Sequence, residues 1–291
     1  MSKRAFSDTI KSPAALAVVA VLVTAVVAVS GMALVGCGNG QKAGFPDAPD
    51  EAVRHVATQL HDQHPEVLWE ALPPSYRQDI SELVHGYAAK LDADLYNKAF
   101  GLIGKTVEIL KTKKDIILGS EVLAGFVADN REEVSLHWDG AIALVETVVR
   151  SDLSSLERLQ TIDIGAFLAG TGTKLMQQAA DASKVMEDDP YSSEVEAKLS
   201  QVQVELVSVE GDTAVLRISA PDEETQELQM VRVEDRWVPK EIADDWQKNM
   251  TEAREQLAKL DESKTAAAKM QAVLAMGMME AFLDQVAQAT T

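Results

Sequence analysis

The pattern of apolar and polar positions divides the chain into four stretches. In the first, Ala14 to Cys37 (AALAVVAVLVTAVVAVSGMALVGC), no charge interrupts an apolar run, and Lys3, Arg4 and Lys11 precede it. The second repeats at helical spacing from Asp50 to Met186. Val53, Val56, Ala57 and Leu60 mark a first helix that Pro65 breaks, and a short helix PEVLWEAL ends at Pro73-Pro74. Ile80, Leu83, Val84, Tyr87 and Leu91 form the stripe of the next helix, with Ser75 as its expected N-cap. Leu95, Ala99, Leu102, Ile103, Val107 and Leu110 form the stripe after that, and Lys111, Lys113 and Lys114 suit its C-terminal dipole. Gly101 and Gly104 are expected to let a neighbouring helix approach closely. NREEVSLHWDGAIALVETVVR, SDLSSLERL and DIGAFLAGTGTKLMQQAADASKVM continue the helical pattern.

In the third stretch the period becomes two. VQVELVSVEG, a Gly211-Asp212 turn, TAVLRISA, a turn over Asp222 to Thr225, QELQMVRVE and WVPKEI predict a three- or four-stranded antiparallel meander. The fourth is helical again, ADDWQKNMTEAREQLAKL then KTAAAKMQAVLAMGMMEAFLDQVA. In the latter, Met270, Val273, Leu274, Met276, Met279, Phe282, Leu283 and Val286 make a wide apolar stripe, which predicts a helix packed against the rest. The fold class is α+β, mostly α: helical hairpins, then a small antiparallel β-meander, then C-terminal helices. The pattern gives a leader at 1–36, a flexible Gly/Pro-rich tether at 37–49, helices at 50–186, the meander at 200–243 and the last helices at 244–291. The stretch 50–291 is short enough to form one domain.

A basic start followed by an apolar run is the form of a secretory signal. The run ends Leu34-Val35-Gly36-Cys37, which resembles the lipobox of bacterial lipoproteins. The resemblance implies cleavage between Gly36 and Cys37, with Cys37 lipidated as the first residue of the mature chain. Gly38 follows where aspartate would mark inner-membrane retention, so the implied address is the outer membrane, facing the periplasm. More than one acyl chain makes a stable anchor where a single chain does not. The alternative is an uncleaved transmembrane helix in the inner membrane, since the run is about long enough to span and the flanking charges give the same orientation. The cysteine at the end of the run favours the lipoprotein.

Charge and cysteine content narrow the functions. Residues 1–36 hold three cations and one anion (Asp8), so the net charge falls from −19 for the whole chain to −21 from Cys37 onward. Such a surface repels phosphate backbones, and nucleic acid is not an expected partner. Cys37 is the only cysteine, so its lipidation leaves no thiol for a disulfide, a nucleophile or a metal.

Few residues carry the pattern of a reactive site. His61 and His64 lack a third ligand at zinc spacing and read as helix-end residues. His85 and His137 have no nucleophile motif to serve. GTGTK at Gly170 to Lys174 departs from the phosphate-loop pattern and reads as a small-residue packing face. Met276, Met278, Met279 and Met270 suit core packing or an adaptable partner groove better than Cu(I). The 46 carboxylates single out no acid–base pair. Trp237, at the start of the last strand, is a core anchor. The meander over Val202 to Ile242 also resembles the sheet of NTF2-like lipoprotein domains, and that resemblance implies a ligand pocket lined by Trp237.

The sequence therefore points to a membrane-anchored, non-enzymatic binding or structural module of the cell envelope, with an envelope protein as its expected partner. No catalytic residue, metal or cofactor is expected. The alternatives are an NTF2-like pocket for a small molecule or polymer and, after it, an envelope enzyme.

Overall fold

The computed structural model describes residues 44–119, 131–184, 203–219, 225–260 and 266–288. The expected leader and Cys37 lie outside them. Among the described residues no helix is long and apolar enough to cross a membrane. The fold is α+β and mostly α. The chain forms two compact units that cut across its sequence order, and the division falls between Gly86 and Tyr87, inside one helix.

The first unit contains α1 (Pro49–His61), α2 (Val67–Glu70), α3 (Pro74–Lys90) as far as Gly86, strands β1 (Gln203–Glu210), β2 (Thr213–Ser219), β3 (Gln226–Val233) and β4 (Arg236–Pro239), and α10 (Lys240–Lys259). The strands pair antiparallel in the order β1-β2-β3-β4, the expected meander in its four-stranded form. Gly211 takes a φ of +60° at the first central position of the β1–β2 turn, where glycine carries no Cβ penalty. A register shift between Leu206 and Ser208 bulges β1.

The period-two pattern sorts the sheet's residues onto two faces. On one, Val204, Ala214, Leu216, Met230 and Trp237 form a buried cluster with Val53 of α1 packed against it. On the other, Val233 meets Tyr76, Trp246 and Met250, joining α3 and α10 to β3. Tyr76 and Trp246 stack with ring centroids 3.7 Å apart. Asp79 accepts from the Trp246 Nε1–H at 2.8 Å and from Arg254 at 2.5 Å.

Two local expectations change in this unit. Pro74, not Ser75, opens α3, and proline suits that first position because its missing N–H has no helical partner. The Ser75 N–H instead donates to Glu234 Oε2 (3.3 Å) from the β3–β4 turn. The expected tether is bound over its second half: the Phe45 ring lies edge-on to His55 at 5.4 Å, and the Arg236 guanidinium sits 4.9 Å from its centroid. The Trp237 Nε1–H donates to the Asp47 carbonyl at 2.7 Å. Aromatic area and a buried indole donor outweigh the freedom of a short Gly/Pro-rich segment.

The second unit is helical. It holds α4 (Ala93–Thr112), α5 (Lys114–Gly119), α6 (Arg131–Val149), a 3₁₀ turn (Asp152–Ser154), α7 (Leu156–Leu159), α8 (Ile164–Phe167), a π turn (Leu168–Gly172), α9 (Thr173–Lys184) and α11 (Ala266–Gln288). Asp92 caps α4, its carboxylate accepting from the Leu95 N–H at 3.1 Å. α11 lies along α4, α4 along α6, and α6 along α9. Gly104 makes the expected close approach, since a Cβ there would stand 3.3 Å from Val149 Cγ1. Gly101 does not, because a Cβ on it meets nothing within 4 Å.

Candidate interaction surface

α11 is the helix whose surroundings differ most from its sequence pattern. Ala, Met and Leu give it high helix propensity along its 23 residues. It carries three charges, Lys269, Glu280 and Asp284, which at 3.6 residues per turn fall within about 60° of one another. All three are spent on α4. Lys269 pairs with Asp92 at 2.6 Å, Glu280 with Lys98 at 3.0 Å, and Asp284 with Lys105. The Lys269 ammonium, hydrogen-bonded to Asp92, holds that carboxyl below the usual carboxylate range, and Asp92 raises Lys269 in return. Leu283 is buried, and Met276 and Val286 are half-buried.

The other side of the helix is uncharged and open, with Gln271 and Gln285 set among its apolar residues. Met270, Leu274, Met278 and Phe282 succeed one another at four-residue steps, a ridge spanning about 120° of the helix. They are 73%, 66%, 69% and 59% exposed. Val273 and Met279 flank them and are also exposed. The expectation that the wide stripe of this helix packs against the rest therefore holds for Met276, Leu283 and Val286 and fails for the others. The arc that packs is the one holding Met276, Leu283 and Val286; the charged flank lies beside it, where Lys269, Glu280 and Asp284 stay exposed while pairing with Asp92, Lys98 and Lys105. The sequence signal was the concentration of charge on one flank; which arc packed depended on α4, some 180 residues away in sequence.

Contiguous apolar surface of this kind marks sites of interaction. Methionine suits it, because its flexible, polarisable side chain adapts to differently shaped partners.

The other sequence-derived candidates are placed as follows. Cys37, with the cleavage site Gly36-Cys37, lies outside the described residues. Trp237 is 7% exposed and belongs to the core cluster of the sheet, with its one polar donor used on Asp47. It is a core anchor in this fold, clustered with Val204, Ala214, Leu216 and Met230. His61 ends α1, and His64 Nδ1 lies 3.0 Å from Glu66 Oε1. Among the described residues no group of three or more His, Cys, Asp or Glu is arranged to hold a metal ion. Gly170 and Gly172 lie in the π turn within a run of helix, and a Cβ on Gly170 meets nothing within 4 Å. The small-residue packing expected there is not made at Gly170.

Comparison with protein-family models, with curated proteins and with solved structures finds no match to this chain.

Proposed function

We propose that this protein is a membrane-anchored module of the bacterial cell envelope, lipidated at Cys37, that acts by binding or scaffolding another envelope component and not by catalysis. The anchor rests on the Leu34-Val35-Gly36-Cys37 motif at the end of an uninterrupted apolar run. The binding role is carried by one observation, the charge-free ridge Met270–Leu274–Met278–Phe282 on a helix whose charges are all committed to α4. An address facing the periplasm, at the outer membrane, follows from the same motif. The strongly acidic surface keeps such a module soluble beside the bilayer and discourages contact with anionic headgroups.

The test begins with the intact mass of the protein extracted from membranes. A mature chain starting at an acylated Cys37 is the expected result, and a mass that includes Met1 ends the lipoprotein reading. The binding role is tested by crosslinking in intact envelopes, comparing the unaltered chain with Leu274→Glu. Loss of a stoichiometric crosslinked species in the variant is expected. An identical crosslinking pattern in both would show that the ridge is not the contact surface.

A further inference from the structure

The run from Ile164 to Lys184 is helical throughout but for one irregularity, the π turn Leu168–Gly172. The Thr173 N–H donates to the carbonyls of Leu168, five residues back, and Gly170, three back, where a regular α-helix uses the one four back. The turn therefore holds one residue more than α-helix over the same rise. Packing does not ask for it at Gly170, where a Cβ meets nothing within 4 Å. It also leaves Thr173 Oγ1 buried with no hydrogen-bond partner among the described residues. Threonines in the regular helices are satisfied locally. Thr106 and Thr112 in α4 and Thr251 in α10 donate to the carbonyl four residues back, at 2.8, 2.8 and 2.7 Å.

If the turn relaxed to α-helix, each residue of α9 would advance into the place of the next. The step is about 1.5 Å along the axis and 100° around it, and the helix keeps its outline. The sequence Leu175-Met176-Gln177-Gln178-Ala179-Ala180 suits that step because like residues stand in pairs. Met176, Gln178 and Ala180 are half-buried in the present register, and Gln177 and Ala179 are exposed. One step forward gives Met176's place to Leu175, Gln178's to Gln177 and Ala180's to Ala179.

The exchange of glutamines matters most. Gln178 Oε1 accepts from the Thr147 hydroxyl of α6 at 2.9 Å, and Thr147 is 6% exposed. A glutamine stands opposite that hydroxyl in either register, so the buried donor is satisfied in both. Thr173 would gain the Ala169 carbonyl, four residues back. Against this, Lys174 would enter Leu175's half-buried place, which keeps the present register the more populated. We propose that α9 is a two-register element: it moves one residue along α6, and the π turn stores the residue that is taken up or released. Register shifts of a helix fall in the μs–ms range. The step changes what α9 presents outward without unfolding it, since Thr173 and Met176 take the exposed places of Lys174 and Gln177. A contact that prefers one outer face selects its register by that difference.

The test is methyl relaxation dispersion on the full chain, labelled at Met, Leu and Ala methyls, with single substitutions at Gln177 and Gln178. Exchange is expected at Leu175, Met176, Ala179 and Ala180 and not at Met230 in the sheet. Gln178→Ala should raise the share of the second register about fivefold, and Gln177→Ala should lower it by as much, the ratio that one net hydrogen bond controls. In a helix of fixed register Gln177 is always exposed, and its loss changes nothing. Flat profiles in all three chains would overturn the proposal, and so would equal responses to the two substitutions. Deletion of Gly170 removes the stored residue and should abolish the exchange in α9. Exchange that persists in a folded deletion variant would overturn the proposal as well.

Discussion

The two units of the molecule both bury apolar side chains but differ in the polar contacts that accompany them. In the first, aromatic and aliphatic side chains are buried from both faces of a sheet, and the buried indole donors are satisfied: Trp237 on the Asp47 carbonyl and Trp246 on Asp79. Leu216, at the centre, has no exposed surface. In the second, helices lie side by side and bury aliphatic side chains such as Val107, Leu156 and Leu283, and exposed or half-exposed ion pairs are added to these. Lys111 bonds Glu146 at 2.8 Å, Lys114 bonds Asp139 at 2.8 Å, and three further pairs link α11 to α4. Exposed pairs of this kind contribute little each, typically below about 1 kcal/mol. The contrast separates a platform built on a sheet from a helical unit that carries an exposed ridge on α11.

The largest effect that would break this contrast is expected in the platform. Leu216→Ala should cost about 2–5 kcal/mol, because it opens a cavity in a site without solvent. Denaturant unfolding followed by peptide-resolved hydrogen exchange should place the lost protection first in β1–β4 and α1. Equal loss in α4 and α11 would show that the units are not separately stabilised. Trp246→Phe comes next. It preserves most of the ring area but withdraws the indole N–H from Asp79, at an expected cost of about 1–3 kcal/mol. Thermal unfolding checks it, and a melting temperature unchanged from the parent would show the hydrogen bond to be dispensable.

The smallest effect concerns pH. The Lys269 hydrogen bond lowers the Asp92 carboxyl, and the Lys111 hydrogen bond lowers Glu146. A carboxyl lowered in the folded state contributes stability above its unfolded value, and that contribution is lost as pH falls through the folded one. Acidification below the usual carboxylate range should therefore loosen α11 from α4 and α4 from α6 before it affects the sheet. The readout is hydrogen exchange in α11 against β2 across an acid titration. Faster exchange in β2 than in α11 as the pH falls would reverse the expected order.

Much of this architecture was legible because it is written locally. The meander is visible as alternation, Gly211 marks its first turn, and Trp237 is recognisable as an anchor from its place in the last strand. What was not legible depends on partners far away in the chain. The Ser75 N–H is satisfied by Glu234 from a turn 159 positions later. Gly101 and Gly104 are alike in sequence, yet only Gly104 lies against Val149. The division into units runs through α3 because the meander gathers α1, α2 and the first part of α3 around it. On α11, periodicity found the apolar positions but could not tell the arc beside α4 from the arc that faces outward.

The hold of the sheet on Phe45 and Asp47 has a consequence for how the protein would search its surroundings. Between Cys37 and Gly44 lie six residues, so the fully extended backbone from a lipid-bearing Cys37 reaches no farther than about 25 Å. Had the chain been free up to Pro49, that radius would be about 43 Å by the same measure. The clasp thus nearly halves the leash. With a lipid on Cys37, as proposed, a protein held this close would draw its encounters from a thin layer along the bilayer, where diffusion is lateral and neighbours anchored at the same height are met first.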